Sequence, residues 1–158
     1  SWPRGSMGVT GSVEAHRDSL LNGDGSTTLT TRLSAPSLKL ERQTPRRSGS
    51  LSVSALDMTR TSRWMEGVLQ SSSFQGSHTV DASGTRGSIS YSVSTQGSTS
   101  YTADGTPSAG AWTLTLPASV LALTVGDGLA TITVDEGKDG SIDRSFSLAI
   151  GSLVDAAN

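Results

Sequence analysis

The residues that decide the fold are Ile89-Ser90-Tyr91-Ser92-Val93-Ser94, in which a large apolar side chain alternates with a serine. Successive side chains of a β-strand point to opposite faces of its sheet, so we expect this stretch to be half buried and half wet. The same two-residue period occurs at residues 51–54, 112–116, 132–134 and 146–148. A purely parallel sheet would show continuous apolar runs instead. The pattern therefore predicts a mostly antiparallel sheet.

Turn-forming pairs separate these stretches at intervals of about 8–12 residues. Examples are Ser48-Gly49, Ser83-Gly84, Asp104-Gly105 and Asp139-Gly140. Glycine accepts the positive φ angles that tight turns require, and Asp and Asn tolerate them. The spacing predicts an all-β fold, a β-sandwich or small barrel of about 10–12 short strands. Residues 14–21 are an exception, because their apolar spacing is loosely helical and favours a short helix.

Composition excludes several classes of function. Of the 158 residues, 34% are hydrophobic and 16% charged, and the net charge is -2. No apolar run approaches the length of about 18 residues that predicts a transmembrane helix. No aromatic residues interleave with the basic cluster Lys39, Arg42, Arg46 and Arg47, so we expect that cluster to decorate a loop and expect no nucleic-acid partner. The absence of cysteine excludes disulfides, thiolate metal sites and a cysteine nucleophile.

The sequence predicts one β-domain, residues 7–158. Residues 1–6 match the remnant of a protease-cleavable expression linker and are set aside. Residues 29–40 resemble residues 112–123 at an offset of about 80 residues. This echo predicts two similar halves, about 20–95 and 96–158, and the alternative is chance similarity between Ser/Thr-rich strands.

The strongest local signal for chemistry is the run from Asp135 to Asp143. Calcium prefers six to eight oxygen ligands, and calcium loops place carboxylates at alternating positions around a glycine. Asp135, Asp139 and Asp143, with the carbonyl of Ser141, follow that spacing. Gly137 and Phe146 occupy positions where such loops carry oxygen ligands, so a metal-free β-hairpin is the favoured alternative.

The same region carries a family resemblance. Its motifs are Asp-Gly-x-Pro at residues 104–107, a Gly-Asp-Gly turn at 126–128, and Val-Asp followed by Asp-Gly-x-x-Asp at 134–143. Residues 104–153 resemble the C-terminal half of small uncharacterised proteobacterial envelope proteins, many of which are classed as lipoproteins. The matching positions are Asp135, Asp139, Gly140 and Asp143, whereas Gly137 and Lys138 depart from the usual turn. The resemblance implies export and a β-rich fold, and it supplies no catalytic residue.

Candidates for catalysis are few. The chain has two histidines, and His78 with Asp81 and a serine would be the elements of a small hydrolase. No Gly-x-Ser-x-Gly elbow occurs to present a nucleophile, so we assign no catalytic residue. Apolar residues occur at both even and odd positions around Trp64, so the alternation does not assign it to the core, and it is the candidate ligand-binding aromatic residue. Trp112 is expected in the core.

These features favour a non-enzymatic exported β-domain, structural or binding another component of the cell envelope. The expected location is periplasmic, anchored to the outer membrane or extracellular, and the expected partner is a protein or glycan. Exposed edge strands would also support a homodimer. The alternatives are a carbohydrate-binding or calcium-stabilised adhesin-like module and, third, the small hydrolase.

Overall fold

The computed structural model describes residues 5–44 and 47–150, and these form eleven β-strands. The strands are β1 (Ser6–Gly11), β2 (Glu14–Leu21), β3 (Thr27–Thr44), β4 (Arg47–Met65), β5 (Val68–Gly84), β6 (Gly87–Thr95), β7 (Thr99–Tyr101), β8 (Pro107–Thr115), β9 (Ser119–Gly126), β10 (Leu129–Glu136) and β11 (Arg144–Ala149). All pairings are antiparallel, which confirms the predicted all-β class.

The strands form one sheet in the order β1-β3-β4-β5-β6-β8-β9-β10-β11. Strand β2 pairs with the first half of β3 and β1 with its second half, so β1 and β2 share one edge. The short β7 lies between β5 and β8. Within the described residues the sheet neither divides into two packed sheets nor closes by pairing β1 with β11.

Three strands are longer than predicted, since β3, β4 and β5 contain 18, 19 and 17 residues. The sequence predicted about 10–12 short strands, whereas each of these three runs through a position that breaks the alternation or the ladder. In the structure Pro36 and Ala55 interrupt the β3–β4 ladder without ending either strand. Ala55 has a φ of 51°, and between Ser54 and Asp57 the β4–β5 register shifts by one residue. This is a β-bulge, which bends a strand and preserves the ladder on both sides.

The predicted helix at residues 14–21 is wrong. These residues form the edge strand β2, which pairs with β3 from Glu14–Ser34 to Leu21–Thr27. An eight-residue helix is marginal without tertiary packing, whereas the free edge of β3 satisfies the backbone hydrogen bonds of this segment.

The sheet has two chemically different faces. Residues directly opposite each other in an antiparallel ladder lie on the same face. One face, called the hydroxyl face, carries cross-strand rows such as Ser77-Ser94-Thr113-Ala122-Thr133-Ser145. The other, called the apolar face, carries rows such as His78-Val93-Leu114-Leu121-Val134-Arg144 and Val9-Leu40-Leu51-Ala82-Ile89.

The apolar face is incompletely covered. Its side chains are exposed at both edges and at the hairpin ends, with exposures of 72% at Val9, 39% at Leu51, 51% at Ile89 and 53% at Phe146, whereas Val80 in the middle of the sheet is 8% exposed. Among the described residues a small core cluster is formed by Val125, Ala130 and Ile150, with Trp112 and Leu123 packed against it, and Ala35 and Val80 are buried elsewhere on the face. The accessible surface of 10615 Å² exceeds the value of about 7,500 Å² expected for a compact monomer of this mass.

The two stretches that suggested a duplication differ in secondary structure, and the two similar halves stay a prediction. Residues 29–40 lie within the single strand β3, whereas residues 112–123 cross the turn between β8 and β9. The shared alternation reflects the common two-faced sheet environment.

The close approach of β7 to β8 predicts a stability effect at Gly110. A Cβ added there would lie 2.2 Å from Cγ2 of Thr99, a residue that is completely buried and whose Oγ1 donates to the Phe74 carbonyl at 2.7 Å. Gly110 also has a φ of 151°. We expect Gly110→Ala to lower the free energy of unfolding by about 2–3 kcal/mol.

Chemical denaturation measures this effect. Gly126→Ala is the matched control, because a Cβ at Gly126 meets no atom within 4 Å. Equal unfolding free energies for the two variants would contradict the described packing of β7 against β8.

Candidate functional site

The apolar face is the candidate functional surface, because it exposes large hydrophobic side chains on several strands. The part of this face near the β3–β4 and β5–β6 turns, called its upper part, is formed by the second half of β3, the first half of β4, and the β5–β6 hairpin. Leu40, Leu51, Ala82 and Ile89 form one row across these strands. The next row is Leu38-Val53-Val80-Tyr91. The two rows are neighbours and form one apolar surface. It arises because every second residue of these strands is apolar.

Charged residues segregate between the two faces. The apolar face carries five arginines and a single acidic residue, Glu136, among the described strands. The register and the alternation along each strand place there Arg17, Arg42, Arg47, Arg60 and Arg144. The acidic residues of the hydroxyl face are Glu14, Asp18, Glu41, Asp57, Asp81 and Asp135. The apolar face is therefore cationic although the whole chain has a net charge of -2.

Salt bridges balance the charge on the hydroxyl face. Arg32 binds Asp57 through two hydrogen bonds of 2.9 and 3.1 Å, and the Asp57 carboxylate raises the pKa of Arg32. Lys39 lies 2.6 Å from Glu41. On the apolar face Arg144 pairs with Glu136 at 3.0 Å. Arg17, Arg42, Arg47 and Arg60 form no salt bridge with any acidic residue in the described part of the chain.

A row of glycines borders the apolar surface at the end of the long hairpins. Gly49, Gly84 and Gly87 lie opposite one another on β4, β5 and β6, and the row continues to Arg42 and Met7. Because three neighbouring strands have glycine in this row, the backbone itself forms the floor of a groove on the apolar face. A depression of about 340 Å³ at one end is lined by Arg42, Arg47, Leu40 and Leu51. A neighbouring depression shares Arg47 with the first and is lined also by Arg86, Gly84, Gly87 and Ile89. We call this feature the glycine groove.

The sequence had suggested these arginines only in part. The prediction that Lys39, Arg42, Arg46 and Arg47 decorate a loop is wrong for the described residues, because Lys39 and Arg42 lie on opposite faces of β3 and Arg47 begins β4. Arg46 lies outside the described residues. The signal in the sequence is an arginine at a position of an alternating strand where the pattern predicts an apolar residue.

The candidate calcium loop is a structured hairpin connection between β10 and β11. The carboxylate of Asp135 accepts hydrogen bonds from the backbone N–H groups of Asp139 at 3.2 Å and Gly140 at 3.0 Å. Asp139 accepts from the N–H of Ser141 at 2.8 Å, and Asp143 from that of Glu136 at 2.6 Å. Across residues 5–44 and 47–150 no three His, Cys, Asp or Glu side chains converge in a way that could hold a metal ion. The aspartates are thus engaged with their own loop.

Asp139 belongs to a turn that occurs three times in the chain. In Asp24-Gly25-Ser26, Asp104-Gly105-Thr106 and Asp139-Gly140-Ser141, the carboxylate accepts from the N–H two residues later at 3.0, 3.0 and 2.8 Å. The central glycines have φ values of 81°, 87° and 87°. These are Asx turns, in which the side chain replaces a backbone acceptor. The sequence analysis missed this repeat, although Asp-Gly-Ser/Thr is legible in the sequence.

The first of these turns is the most extensive. Ser26 is completely buried, and both its backbone N–H and its hydroxyl donate to Asp24. Arg63 of β4 also binds the Asp24 carboxylate. The hydrogen bonds from Ser26, and then the charge of Arg63, lower the pKa of Asp24 to about 2. Hydrogen bonds from Thr102 and Thr106 likewise lower the pKa of Asp104.

Trp64 lies on the apolar face, opposite Thr27 and Leu69. Its side chain is half-buried, and its Nε1 is shielded from water without a hydrogen-bond partner. The indole therefore contributes apolar surface, while its polar edge points away from solvent.

The elements of the hydrolase alternative are separated. His78 and Asp81 are three residues apart on a regular part of β5, so His78 lies on the apolar face and Asp81 on the hydroxyl face. Asp81 accepts a hydrogen bond from Ser90 at 2.6 Å. No helix in the described ranges is long and apolar enough to cross a membrane.

The hairpin role of Asp139 gives a prediction about calcium. We expect Asp139→Ala to lower the melting temperature by a few degrees, because the variant loses the acceptor for the Ser141 N–H. The decrease should be equal in calcium and in chelator, as measured by thermal unfolding. A loss that appears only with calcium present would restore the calcium loop as a metal site.

The depressed pKa of Asp24 predicts acid sensitivity. The folded state favours the carboxylate, so its contribution is complete above the ordinary pKa of 3.8 and is lost as the pH falls toward about 2. We expect the melting temperature of Asp24→Asn to be lower at neutral pH and to decrease less steeply between these pH values. Thermal melts of both proteins across this range measure the difference, and parallel pH profiles would refute it.

Comparisons of this chain with models of protein families, with curated protein sequences and with solved structures found no significant match.

Proposed function

We propose that this domain is a non-enzymatic binding module of an exported protein, and that its apolar face binds a component of the cell envelope. The observation that carries the proposal is the apolar face itself, which reaches from β1 to β11 and exposes Val9, Leu51, Ile89 and Phe146 among the described residues. Sheets with one apolar face are normally stabilised by a second layer. A bound partner would supply that layer.

The size of the exposed surface supports a binding role. Monomeric proteins rarely expose contiguous apolar patches larger than about 300–600 Å², and larger patches mark interaction sites. The apolar face includes exposed Val9, Leu51 and Ile89 on three separate strands, and Phe146 and Leu148 on β11. This distribution fits an extended contact better than a single deep pocket.

The separation of the titratable groups supports the non-enzymatic part of the proposal. General acid–base chemistry needs groups within hydrogen-bond reach of a common substrate atom. His78 and Asp81 lie on opposite faces, and the carboxylates of Asp24, Asp104 and Asp139 are occupied by turn N–H groups.

Export is supported by composition and by the resemblance of residues 104–153. The hydroxyl face achieves solubility with serine and threonine in place of long charged side chains, and the chain contains no cysteine. Both properties are common in envelope proteins. Periplasmic, outer-membrane-anchored and extracellular locations all fit.

A second candidate is pairing through the edge strand β11. Its outer edge has no partner strand among the described residues, and its Phe146 and Leu148 are exposed. Such an edge can add a strand from another chain or from a second copy.

Nile red, a neutral dye that fluoresces in apolar surroundings, tests the main proposal. We expect the native protein to enhance its fluorescence and the double variant Leu51→Gln/Ile89→Gln to reduce the enhancement severalfold, since these side chains share one apolar row. The matched control is Ser50→Gln/Ser88→Gln, which changes neighbouring residues on the hydroxyl face. Equal enhancement by both double variants, or none by the native protein, would refute the proposal.

Sedimentation velocity tests the β11 edge. If two copies pair through β11, a dimer should form with increasing concentration, and Ser147→Lys should shift it toward monomer because a lysine on an edge strand opposes pairing with another strand. A dimer that is unaffected by this substitution would exclude β11 as the interface.

A further inference from the structure

Two independent features of the apolar face coincide at one end of the sheet. The first is its excess of arginine, of which Arg42 and Arg47 flank the upper part and form no salt bridge with a described acidic residue. The second is the glycine groove, which runs beside the row Leu40-Leu51-Ala82-Ile89. The arginine side chains therefore lie beside the exposed backbone of the glycine row, and the row of aliphatic side chains lies next to it.

The floor of the groove has space for a ligand. A Cβ built on Gly84 would approach its nearest neighbour, the carbonyl oxygen of Ser48, at 3.6 Å, and one built on Gly87 would meet nothing within 4 Å. Gly84 is not forced to be glycine by a backbone clash. Its missing side chain leaves room for another molecule to approach the sheet between Arg42 and Arg86.

The dimensions suit an extended chain. The row from Val9 to Ile89 crosses five strands, β1, β3, β4, β5 and β6. At about 4.8 Å between neighbouring strands, the row is about 19 Å long. A second apolar row, Leu38-Val53-Val80-Tyr91, runs parallel to it. A long alkyl chain lying along these rows would be desolvated by aliphatic side chains over most of its length.

We propose that the apolar face binds a single anionic amphiphile, with its carboxylate or phosphate in the glycine groove and its alkyl chain along the Val9–Ile89 row. This inference rests on the proposed binding function and specifies its ligand class. Arg42 and Arg47 bind the head group through charge-assisted hydrogen bonds, for which the guanidinium fork is well suited. Arg86, from the turn between β5 and β6, lines the neighbouring depression.

Charge disfavours a second copy of this chain as the occupant. Packing two apolar faces together would bring the arginines of one copy toward those of the other, with Glu136 as the single acidic residue on each described face. Like charges placed together at an interface disfavour association. The recessed groove also distinguishes a single molecule from a bilayer surface, because a bilayer is contacted best by protruding side chains.

The test compares ligands that share a chain and differ in head group. Dodecyl phosphate, dodecyltrimethylammonium and inorganic phosphate are titrated into the full chain by calorimetry, the two amphiphiles below their micelle concentrations. We expect dodecyl phosphate to bind, and the cationic amphiphile and inorganic phosphate each to bind at least about tenfold more weakly. Equal binding of both amphiphiles would overturn the anionic preference, and equal binding of inorganic phosphate would overturn the role of the chain.

Variants locate the site. Arg42→Gln/Arg47→Gln should weaken dodecyl phosphate binding by about tenfold or more, whereas Lys39→Gln, on the same strand but the opposite face, should leave it unchanged. Gly84→Leu should fill the groove and abolish binding while the melting temperature is retained. Unchanged affinity in the arginine or Gly84 variants, or an equal loss in Lys39→Gln, would overturn the assignment.

Two further measurements distinguish the proposed ligand from the alternative occupants, a membrane surface and a second copy of the chain. Binding to vesicles of anionic phospholipid without binding to monomeric dodecyl phosphate would replace the proposal with a membrane surface. A dimer that excludes dodecyl phosphate would replace it with a second copy. In each case Nile red binding reports separately on the apolar face, so this inference can fail while the proposed binding function survives.

Discussion

The structure depends on the two-residue alternation being kept in register across every strand. The ladders place Val9 of β1 opposite Leu40 and Phe146 of β11 opposite Ile132, with Thr131 opposite Ser147 on the other face. A slip of one residue in any ladder would move a whole strand's apolar side chains to the wet face. Because so little of the chain is fully buried, hydrogen-bonded ladders and same-face neighbours contribute more to this fold than a central core does.

The sequence was most informative where local chemistry determines structure. Alternation at Ile89–Ser94 and glycine turns such as Ser83-Gly84 predicted antiparallel strands, and the described pairings confirm them. Strand lengths were less accessible, because Pro36 looks like a break unless the opposing Ala55 is known to adopt a positive φ. The helix predicted at Glu14–Leu21 failed for a related reason, since the free edge of β3 is a tertiary feature.

The candidate site illustrates a different limit. Each arginine is visible in the sequence, but which face it occupies depends on the bulge, which reverses the parity of β3 and β4 halfway along. Arg47 at an odd position of β4 and Arg60 at an even position therefore reach the same face. The glycine groove is equally hidden, because Gly49, Gly84 and Gly87 come together only through two consecutive ladders. By contrast, the Asp-Gly-Ser/Thr turns are entirely local.

The pairing of Pro36 with Ala55 has a consequence for how the chain could change in length. On both strands the apolar side chains change parity at this point, from Ala35 to Leu38 and from Leu56 to Val53. Loss of either residue alone would turn half of one long strand inside out relative to its neighbour. Simultaneous loss of both would restore an uninterrupted ladder, with Leu56 brought opposite His78, and would leave both surfaces of the sheet intact but straighter. Insertions and deletions in this hairpin are thus tolerable as matched pairs and harmful singly.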